Sequence, residues 1–282
     1  MSVRADELSA RIDMLASIPP GDTVPDDAAD VVDALLDALE QGRVRAAERD
    51  ATGTWSAVAW VKRGILLGFR IGTVADMSDP PFVFFDKHTF PPRRLSAQDG
   101  VRVVPGGSAV RRGAYLAPGV VCMPPMYVNV GAYVGEGTMV DSHALVGSCA
   151  QVGARVHLSA SAQIGGVLEP VNAAPVVIED DVLVGGNCGV YEGTVVRRRA
   201  VLAAGVVLTR GTPIFDLVRE TVYRSDDGVP LEVPEAAVVV PGARAIRSGW
   251  GASELLSLQT PVIVKYRDER TDVATALESW LR

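Results

Sequence analysis

The stretch GAYVGEGTMVDSHALVGSCAQVGARVHLSASAQI (residues 131–164) carries an aliphatic residue at every sixth position, beginning with Val134. The same period extends outward in both directions and breaks once, across residues 169–177. The repeated positions are Val104, Val110, Leu116, Cys122, Val128, Val134, Val140, Val146, Val152, Leu158 and Ile164, followed by Ile178, Val184, Val190, Val196, Leu202, Leu208 and Ile214. A period this regular over about a hundred residues indicates one repeated structural unit.

The period decides between helix and solenoid. An α-helix cannot keep residues six apart on one face, because six steps turn it by about 600°. A fixed short period is typical of a coil in which each repeat is one short strand and one corner, and three repeats close a triangle. The aliphatic residue then points inward, and small or apolar residues four positions later, up to Leu168, let the backbone turn. Glycines three positions later predict corners with positive φ at Gly107, Gly113, Gly119, Gly131 and Gly137.

The period does not determine the hand of the coil. The pattern resembles the hexapeptide-repeat acyltransferases, and the resemblance implies a left-handed parallel β-helix, an exception to the usual crossover rule. Residues 131–159, IGGVLEP (164–170) and VYEGTVV (190–196) are similar to the tetrahydrodipicolinate N-succinyltransferases of that superfamily. The similarity extends to RVVPG (102–106), FFDKHTFPPRRL (84–95) and PVIVKYRDE (261–269).

Three segments are expected. Residues 1–100 form helices at 5–18, from Asp26 or Asp27 to Gly42, and at 55–70, followed by a connector with a strand at 82–85. Residues 101–245 form the coil, with a loop at 169–177 and a hairpin at 216–232 that turns at Asp226, Asp227 and Gly228. Within this segment the frame returns at Val233 and Val239, with Ala237 and Ala243 four later. Residues 246–282 form a capping strand and a helix that carries Val273, Leu277 and Trp280. The fold class is therefore mainly β.

Composition and charge argue against several classes of function. A net charge of −7 argues against nonspecific nucleic-acid binding. No apolar run reaches the roughly 20 residues of a membrane span, and the acidic start does not resemble a signal peptide, so a cytoplasmic location is expected. Three cysteines without CxxC spacing are interpreted as packing thiols, and no pattern supports a metal site.

Two carboxylates are the candidate catalytic groups. Asp141 in MVDS follows an inward valine and points out of the coil, where the resemblance implies a substrate-binding aspartate. Glu192 in VYEG resembles the second acid of the family's site. An amine that attacks a thioester must lose a proton, and a carboxylate can accept it. The sequence leaves open which acid takes this role.

Arginines are the candidate anion ligands, because a guanidinium binds a carboxylate through two hydrogen bonds. Arg102 in RVVPG matches the family's substrate-contacting arginine, and Arg111 and Arg112 are weaker candidates. The resemblance places CoA near the later coils. Its phosphates could meet Arg197 to Arg199 and Arg210, although such a charge run is equally typical of a solvated face.

Three further side chains are candidate bases or nucleophiles. His143 and His157 both occupy outward positions and could serve as a base, or they could have packing and surface roles. Cys149 is not expected to carry an acyl group, because the repeat places no histidine beside it.

The resemblance implies a homotrimeric enzyme with no bound cofactor, which takes succinyl-CoA as a co-substrate. It would transfer succinyl to the amine of ring-opened tetrahydrodipicolinate, in diaminopimelate and lysine biosynthesis. The alternatives are an acetyl-CoA-dependent or other amino-dicarboxylate N-acyltransferase on the same fold, and a noncatalytic β-helix that serves binding or assembly.

Overall fold

The computed structural model describes residues 4–226 and 228–268 of the 282-residue chain. An amino-terminal helical domain packs on a three-sided parallel β-helix, and an antiparallel arm ends the described part. The predicted mainly β class is confirmed. The turn residue Asp227 and the expected helix at Val273, Leu277 and Trp280 lie outside the described residues.

The amino-terminal domain contains three helices and two small hairpins. Its elements are α1 (Ala5–Ala16), α2 (Ala28–Glu40), β1 (Ala47–Arg49), β2 (Trp55–Ala57), α3 (Ala59–Ile71), β3 (Val74–Asp76) and β4 (Phe85–Lys87). The third helix starts four residues later than predicted, because residues 55–57 pair with β1. The expected strand at 82–85 begins only at Phe85 and pairs with β3.

The helical domain has its own core, and this core continues into the coil. Ile12, Leu35 and Ile65 are fully buried between the helices, and Val130 and Cys149 from corners of the coil belong to the same apolar cluster. Apolar contact therefore fixes the domain against one edge of the coil. No helix among residues 4–226 and 228–268 is both long and apolar enough to cross a bilayer.

Most strands of the coil have two residues, and they pair in parallel with the strand one turn later, as Tyr133 pairs with Gln151. In chain order the strands are β5 (Arg102–Val103), β6 (Ala109–Val110), β7 (Tyr115–Leu116), β8 (Val121–Cys122), β9 (Tyr127–Val128), β10 (Tyr133–Val134), β11 (Met139–Val140), β12 (Leu145–Val146), β13 (Gln151–Val152), β14 (His157–Leu158), β15 (Gln163–Ile164), β16 (Val177–Ile178), β17 (Leu183–Val184), β18 (Gly189–Val190), β19 (Val195–Val196), β20 (Val201–Leu202), β21 (Val207–Leu208), β22 (Ile214–Asp216), β23 (Thr221–Tyr223), β24 (Glu232–Val233), β25 (Ala237–Ala245) and β26 (Ser257–Tyr266).

The strands form three faces. The first face contains β5, β8, β11, β14, β17, β20 and β25; the second contains β6, β9, β12, β15, β18 and β21; the third contains β7, β10, β13, β16, β19 and β24. The chain passes from the first to the second to the third face. We name the first corner between faces one and two, the second corner between faces two and three, and the third corner between faces three and one.

The aliphatic frame fills the interior. Val134, Val140, Val146 and Val152 are fully buried in one apolar cluster, as the six-residue period predicts. The predicted six-residue spacing is wrong at its first position, because Val103 and not Val104 pairs with Cys122. The first corner of the coil contains one extra residue between β5 and β6, and the sequence pattern does not reveal it.

The corners confirm the glycine prediction and extend it. All five predicted glycines have positive φ, from 65° at Gly137 to 88° at Gly107. Equivalent corners have the same conformation without glycine, at His143, Cys149, Arg155, Ser161, Asp181, Asn187, Arg199 and Ala236. A non-glycine residue there costs on the order of 1 kcal/mol, so the packing of stacked coils imposes this conformation.

One long loop interrupts the coil between β15 and β16, where the frame breaks. It spans residues 165–176, somewhat more than the predicted 169–177, and emerges at the second corner. Leu168, expected inside the coil, packs against the helical domain instead. Val176 takes the interior position and is fully buried.

The end of the coil differs in detail from the prediction. The hairpin formed by β22 and β23 turns at residues 217–220, while Asp226 pairs with Val229 in a separate small turn. Val233, Ala237 and Val239 return to the interior as expected. Ala243 is exposed, because β25 leaves the coil to form a long antiparallel arm with β26. An α-helix, α4 (Gly249–Ser253), lies at the tip of this arm.

Candidate active site

Asp141 lies at the first corner, directly after β11. Its Oδ1 accepts a hydrogen bond from the Ser142 N–H at 2.7 Å, which orients the carboxylate. Its Oδ2 lies 3.8 Å from Nε2 of His157. The Asp141 side chain is 29% exposed and that of His157 17%. The structure therefore brings together Asp141 and His157, a pairing that the sequence-based predictions do not include.

The pairing of strands in successive turns explains why His157 lies close to Asp141. His157 on β14 pairs with Met139 on β11, one turn earlier, so its ring stands beside the corner that follows β11. A positioned imidazole can orient a carboxylate or share its proton. The six-residue frame contains the signal for this pair, since it places both side chains outward on adjacent turns.

Arg102 lies on the same face as this pair. It pairs with Val121, which pairs with Met139, so Arg102 is two strands away from the strand that precedes Asp141. Two strand spacings are about 9.6 Å, a distance that a substrate with two carboxylates and an amine can span. Arg102 is exposed at the open end of the coil.

Glu192 lies at the second corner, after β18, and is exposed. It has φ 54°, and the following Gly193 has φ 75°, so two consecutive residues are left-handed. The Glu192 Oε2 accepts a hydrogen bond from the backbone N–H of Arg210, one turn later, at 2.8 Å. The long loop crosses this corner, because a Cβ added at Gly193 would lie 2.7 Å from the Ala174 carbonyl oxygen. Glu192 is thus held by the next turn and flanked by the loop.

The two acids are far apart within one chain. Asp141 precedes β12 and Glu192 follows β18, and β15 lies between these strands on the second face. The axial offset alone is two strand spacings, about 9.6 Å, and the acids occupy opposite edges of that face. One chain by itself does not place both carboxylates around a single reacting atom.

Arg111 and Arg112 are occupied by internal partners. Arg111 pairs with Asp86 and lies over the rings of Phe69 and Phe90, with 14% of its side chain exposed. The three partners of Arg112 are α2 carboxylates, Asp33, Asp37 and Glu40. Both arginines hold the helical domain to the coil, and this arrangement opposes the predicted substrate-binding role.

The candidate CoA arginines do not form one cluster. Arg197 lies at the third corner and binds Glu179 at 2.9 Å and Glu232 at 2.6 Å. Its Nη1 also donates to the Gly53 carbonyl at 2.8 Å, which attaches the β1–β2 hairpin to the coil. Burial alone would raise the pKa of Glu179, but hydrogen bonds from Trp55, the Arg198 backbone and Arg197 hold it below its usual range. Arg197 is therefore a structural cation.

Arg198 and Arg210 remain exposed, on different corners. Arg198 pairs loosely with Glu235 at 3.5 Å and lines a cleft of about 750 Å³ between the β1–β2 hairpin and the third face. Neither Asp141 nor Glu192 lines this cleft. Arg210 lies beside Glu192, so of the three arginines it is the one adjacent to a candidate catalytic group.

His143 and Cys149 are corner residues. His143 is exposed, with φ 62°. Cys149 is fully buried under the helical domain, and burial raises the pKa of its thiol to about 12. A thiol that stays protonated at neutral pH is a poor nucleophile, which agrees with its exclusion on sequence grounds.

Similarity to known proteins bears on this site. Residues 13–71 match the model of the tetrahydrodipicolinate N-succinyltransferase amino-terminal domain, and residues 175–210 match the hexapeptide repeat of succinyl-transferase. A relative from Nitrobacter hamburgensis, named 2,3,4,5-tetrahydropyridine-2,6-dicarboxylate N-succinyltransferase, is 43% identical over 265 residues, which cover 90% of this chain and 89% of the relative. The chain belongs to the tetrahydrodipicolinate N-succinyltransferase family.

Other relatives agree with this assignment. A Bordetella avium protein with the same name is 44% identical over 272 residues, or 95% of this chain and 94% of that protein. A solved Campylobacter jejuni structure, provisionally named 2,3,4,5-tetrahydropyridine-2-carboxylate N-succinyltransferase, aligns with a TM-score of 0.56 at 18% identity. It covers 83% of this chain and 62% of the other, and supports the fold alone. The family match to residues 13–71 shows that the helical domain is part of the family's architecture.

Proposed function

We propose that this protein is an N-succinyltransferase that transfers the succinyl group of succinyl-CoA to the amine of ring-opened tetrahydrodipicolinate, a step of diaminopimelate and lysine biosynthesis. The observation that carries the proposal is identity above 40%, over about nine tenths of both chains, to proteins named for this reaction. The outward acids Asp141 and Glu192 supply the chemistry that the reaction needs.

At the thioester carbonyl the reaction forms one bond and breaks one. The amine nitrogen attacks the thioester carbonyl, the N–C bond forms, the C–S bond breaks, and CoA leaves as a thiolate that takes up a proton. The nitrogen must shed a proton to a base during attack. Asp141, oriented by Ser142 and beside His157, is suited to hold the substrate ammonium and accept that proton.

Arg102 is the proposed ligand for a substrate carboxylate. It is exposed on the face that carries Asp141, and a guanidinium presents a planar pair of donors to a carboxylate. Arg111 is not part of the proposal, because Asp86 and two aromatic rings occupy its guanidinium. Arg210 is the proposed contact for an anionic part of CoA, since it is exposed beside Glu192.

The proposed active unit is a cytoplasmic homotrimer of left-handed coils. Because Asp141 and Glu192 lie at different corners of one chain, a site that uses both is assembled when the first corner of one coil faces the second corner of its neighbour. A cyclic arrangement repeats this contact three times and gives three equivalent sites. Glu192 then acts on the substrate bound by the neighbouring chain.

A thiol-release assay tests the proposal. The purified protein is mixed with succinyl-CoA or acetyl-CoA, with and without the acceptor, and the acylated product is identified by mass. Release that needs both succinyl-CoA and the acceptor supports the proposal. Preference for acetyl-CoA would assign a different donor on the same scaffold. The absence of turnover with either donor would favour a noncatalytic binding or assembly role.

A further inference from the structure

Lys62 is a buried basic residue in the first turn of α3. Its side chain is 0% exposed, and its Nζ donates a hydrogen bond of 2.5 Å to the carbonyl oxygen of Ala173. Within residues 4–226 and 228–268 no carboxylate forms an ion pair with it. The nearby Cys149 thiol supplies no charge at neutral pH, because burial raises its pKa to about 12.

A charge in this position is unfavourable for folding. An ammonium group that leaves water without a counter-ion loses more solvation than one hydrogen bond returns. Its helix is otherwise buried through apolar residues such as Val61 and Ile65, and a methionine would fill similar space without that loss. The property that methionine lacks is the ability to hold a carbonyl group.

That carbonyl belongs to the long loop at the second corner. Ala173 lies near the end of residues 165–176, and the next carbonyl, that of Ala174, packs against Gly193. Gly193 follows Glu192, whose carboxylate accepts a hydrogen bond from the Arg210 N–H. The loop is therefore confined between α3 and the corner that carries Glu192.

We infer that Lys62 is a positioning residue, which clamps the loop onto the Glu192 corner and so couples the amino-terminal domain to the reaction. Its contact with the loop stands independently, but its effect on catalysis rests on the proposed function, in which Glu192 takes part. The inference gives the helical domain a role beyond packing. A displacement of about 1 Å in a reacting group can reduce turnover by up to about 100-fold.

The test is Lys62→Met in the full-length protein, with Lys87→Met as the matched control. Lys87 is also in the helical domain, and its Nζ also donates to a backbone carbonyl, that of Gly72 at 2.8 Å, but it does not contact the loop. Three properties are measured for each variant: the melting temperature, hydrogen exchange of peptides covering residues 165–176, and the kinetics of succinyl transfer.

For Lys62→Met we expect an unchanged or higher melting temperature, because an unpaired buried charge is removed. We expect loop amides to exchange about tenfold faster, and kcat to fall by about 10- to 100-fold. The KM for succinyl-CoA should stay within about twofold. A purely structural lysine would give the opposite combination, a lower melting temperature with activity lost only in proportion to unfolding. Lys87→Met should leave loop exchange and kcat unchanged.

The outcomes separate the two claims. Unchanged loop exchange in folded Lys62→Met would refute the clamp, whatever the enzyme does. Faster loop exchange with normal kcat would keep the contact but refute its role in positioning Glu192. An unmodified protein without transferase activity would refute the proposed function, while the exchange measurement would still decide the clamp.

A second measurement applies if Lys62→Met does not fold. Native-state hydrogen exchange of the unmodified protein is followed at rising denaturant. If Lys62 joins the loop to α3, peptides from residues 165–176 should open together with α3. Opening of the loop at lower denaturant, while α3 stays protected, would overturn the inference.

Discussion

Mixing two inactive variants tests whether the site is built from two chains. Asp141→Asn and Glu192→Gln each remove one candidate acid while preserving shape. Each variant should remain folded, because both side chains are at least partly exposed at corners. Each should lose most of its turnover, by about 10²–10⁴-fold for whichever residue is the general base.

The positions of the two acids determine how much activity mixing the variants should restore. Within one chain the acids are separated by two strand spacings, about 9.6 Å, and by the width of the second face. Each site should therefore combine Asp141 of one chain with Glu192 of the next. If the protein forms the proposed cyclic trimer, random 1:1 mixing gives half the chains an intact Asp141 and half their neighbours an intact Glu192, so about one quarter of the sites are complete.

The assay is thiol release after subunit exchange, with exchange verified by native mass spectrometry of differently tagged chains. We expect about 25% of the unmodified activity at a 1:1 ratio, with a maximum at that ratio. No recovery despite demonstrated exchange would refute the two-chain site. Full activity of either single variant would remove that residue from the mechanism.

Three further predictions concern the coil itself. Val146→Asp places an unpaired charge in the interior and should destabilise the protein by at least about 4 kcal/mol. The control Ala160→Asp, at an exposed corner, should change the free energy of unfolding by no more than about 0.5 kcal/mol. Thermal melts compare the two variants, and equal melting temperatures would contradict the assigned frame. Gly193→Ala would place its Cβ 2.7 Å from a loop carbonyl oxygen and should lower both the melting temperature and kcat. The control Gly107→Ala has a similar positive φ but no atom within 4 Å of the new Cβ, so it should lose only the backbone cost of about 1 kcal/mol. Equal losses of stability in the two variants would show that the close approach is unimportant. All three cysteines are buried, and burial raises the pKa of two of them to about 12, so a thiol reagent at pH 8 should react only after unfolding; rapid labelling of the native protein would contradict this burial.

The six-residue period was sufficient to predict the coil because it acts locally. Each aliphatic residue faces inward through the geometry of its own short strand, so Val134 to Val152 could be assigned from sequence alone. Where chain length between strands changes, the local signal disappears. The extra residue between β5 and β6 shifted the first position from Val104 to Val103, and the loop exchanged Leu168 for Val176.

The candidate acids could also be found in the sequence. Asp141, for example, directly follows an inward-facing valine, so its side chain is expected to point outward. The partners of charged side chains could not. Arg111 is held by Asp86 across 25 residues, Arg197 by Glu232 across 35, and Lys62 by Ala173 across 111. Such pairs depend on how the connector, the late coil strands and the long loop pack against the rest of the coil.

The amino-acid sequence by itself therefore determined the repeat and the inward or outward direction of side chains wherever the six-residue spacing is unbroken, because that direction depends on residues within one strand and one corner. Only the tertiary structure decided that Arg111, Arg112 and Arg197 are held by carboxylates, that His157 stands beside Asp141, and that a buried lysine contacts the loop next to Glu192. An ion pair or hydrogen bond forms over a few ångströms in space, and a separation along the chain does not encode that distance until the chain has folded.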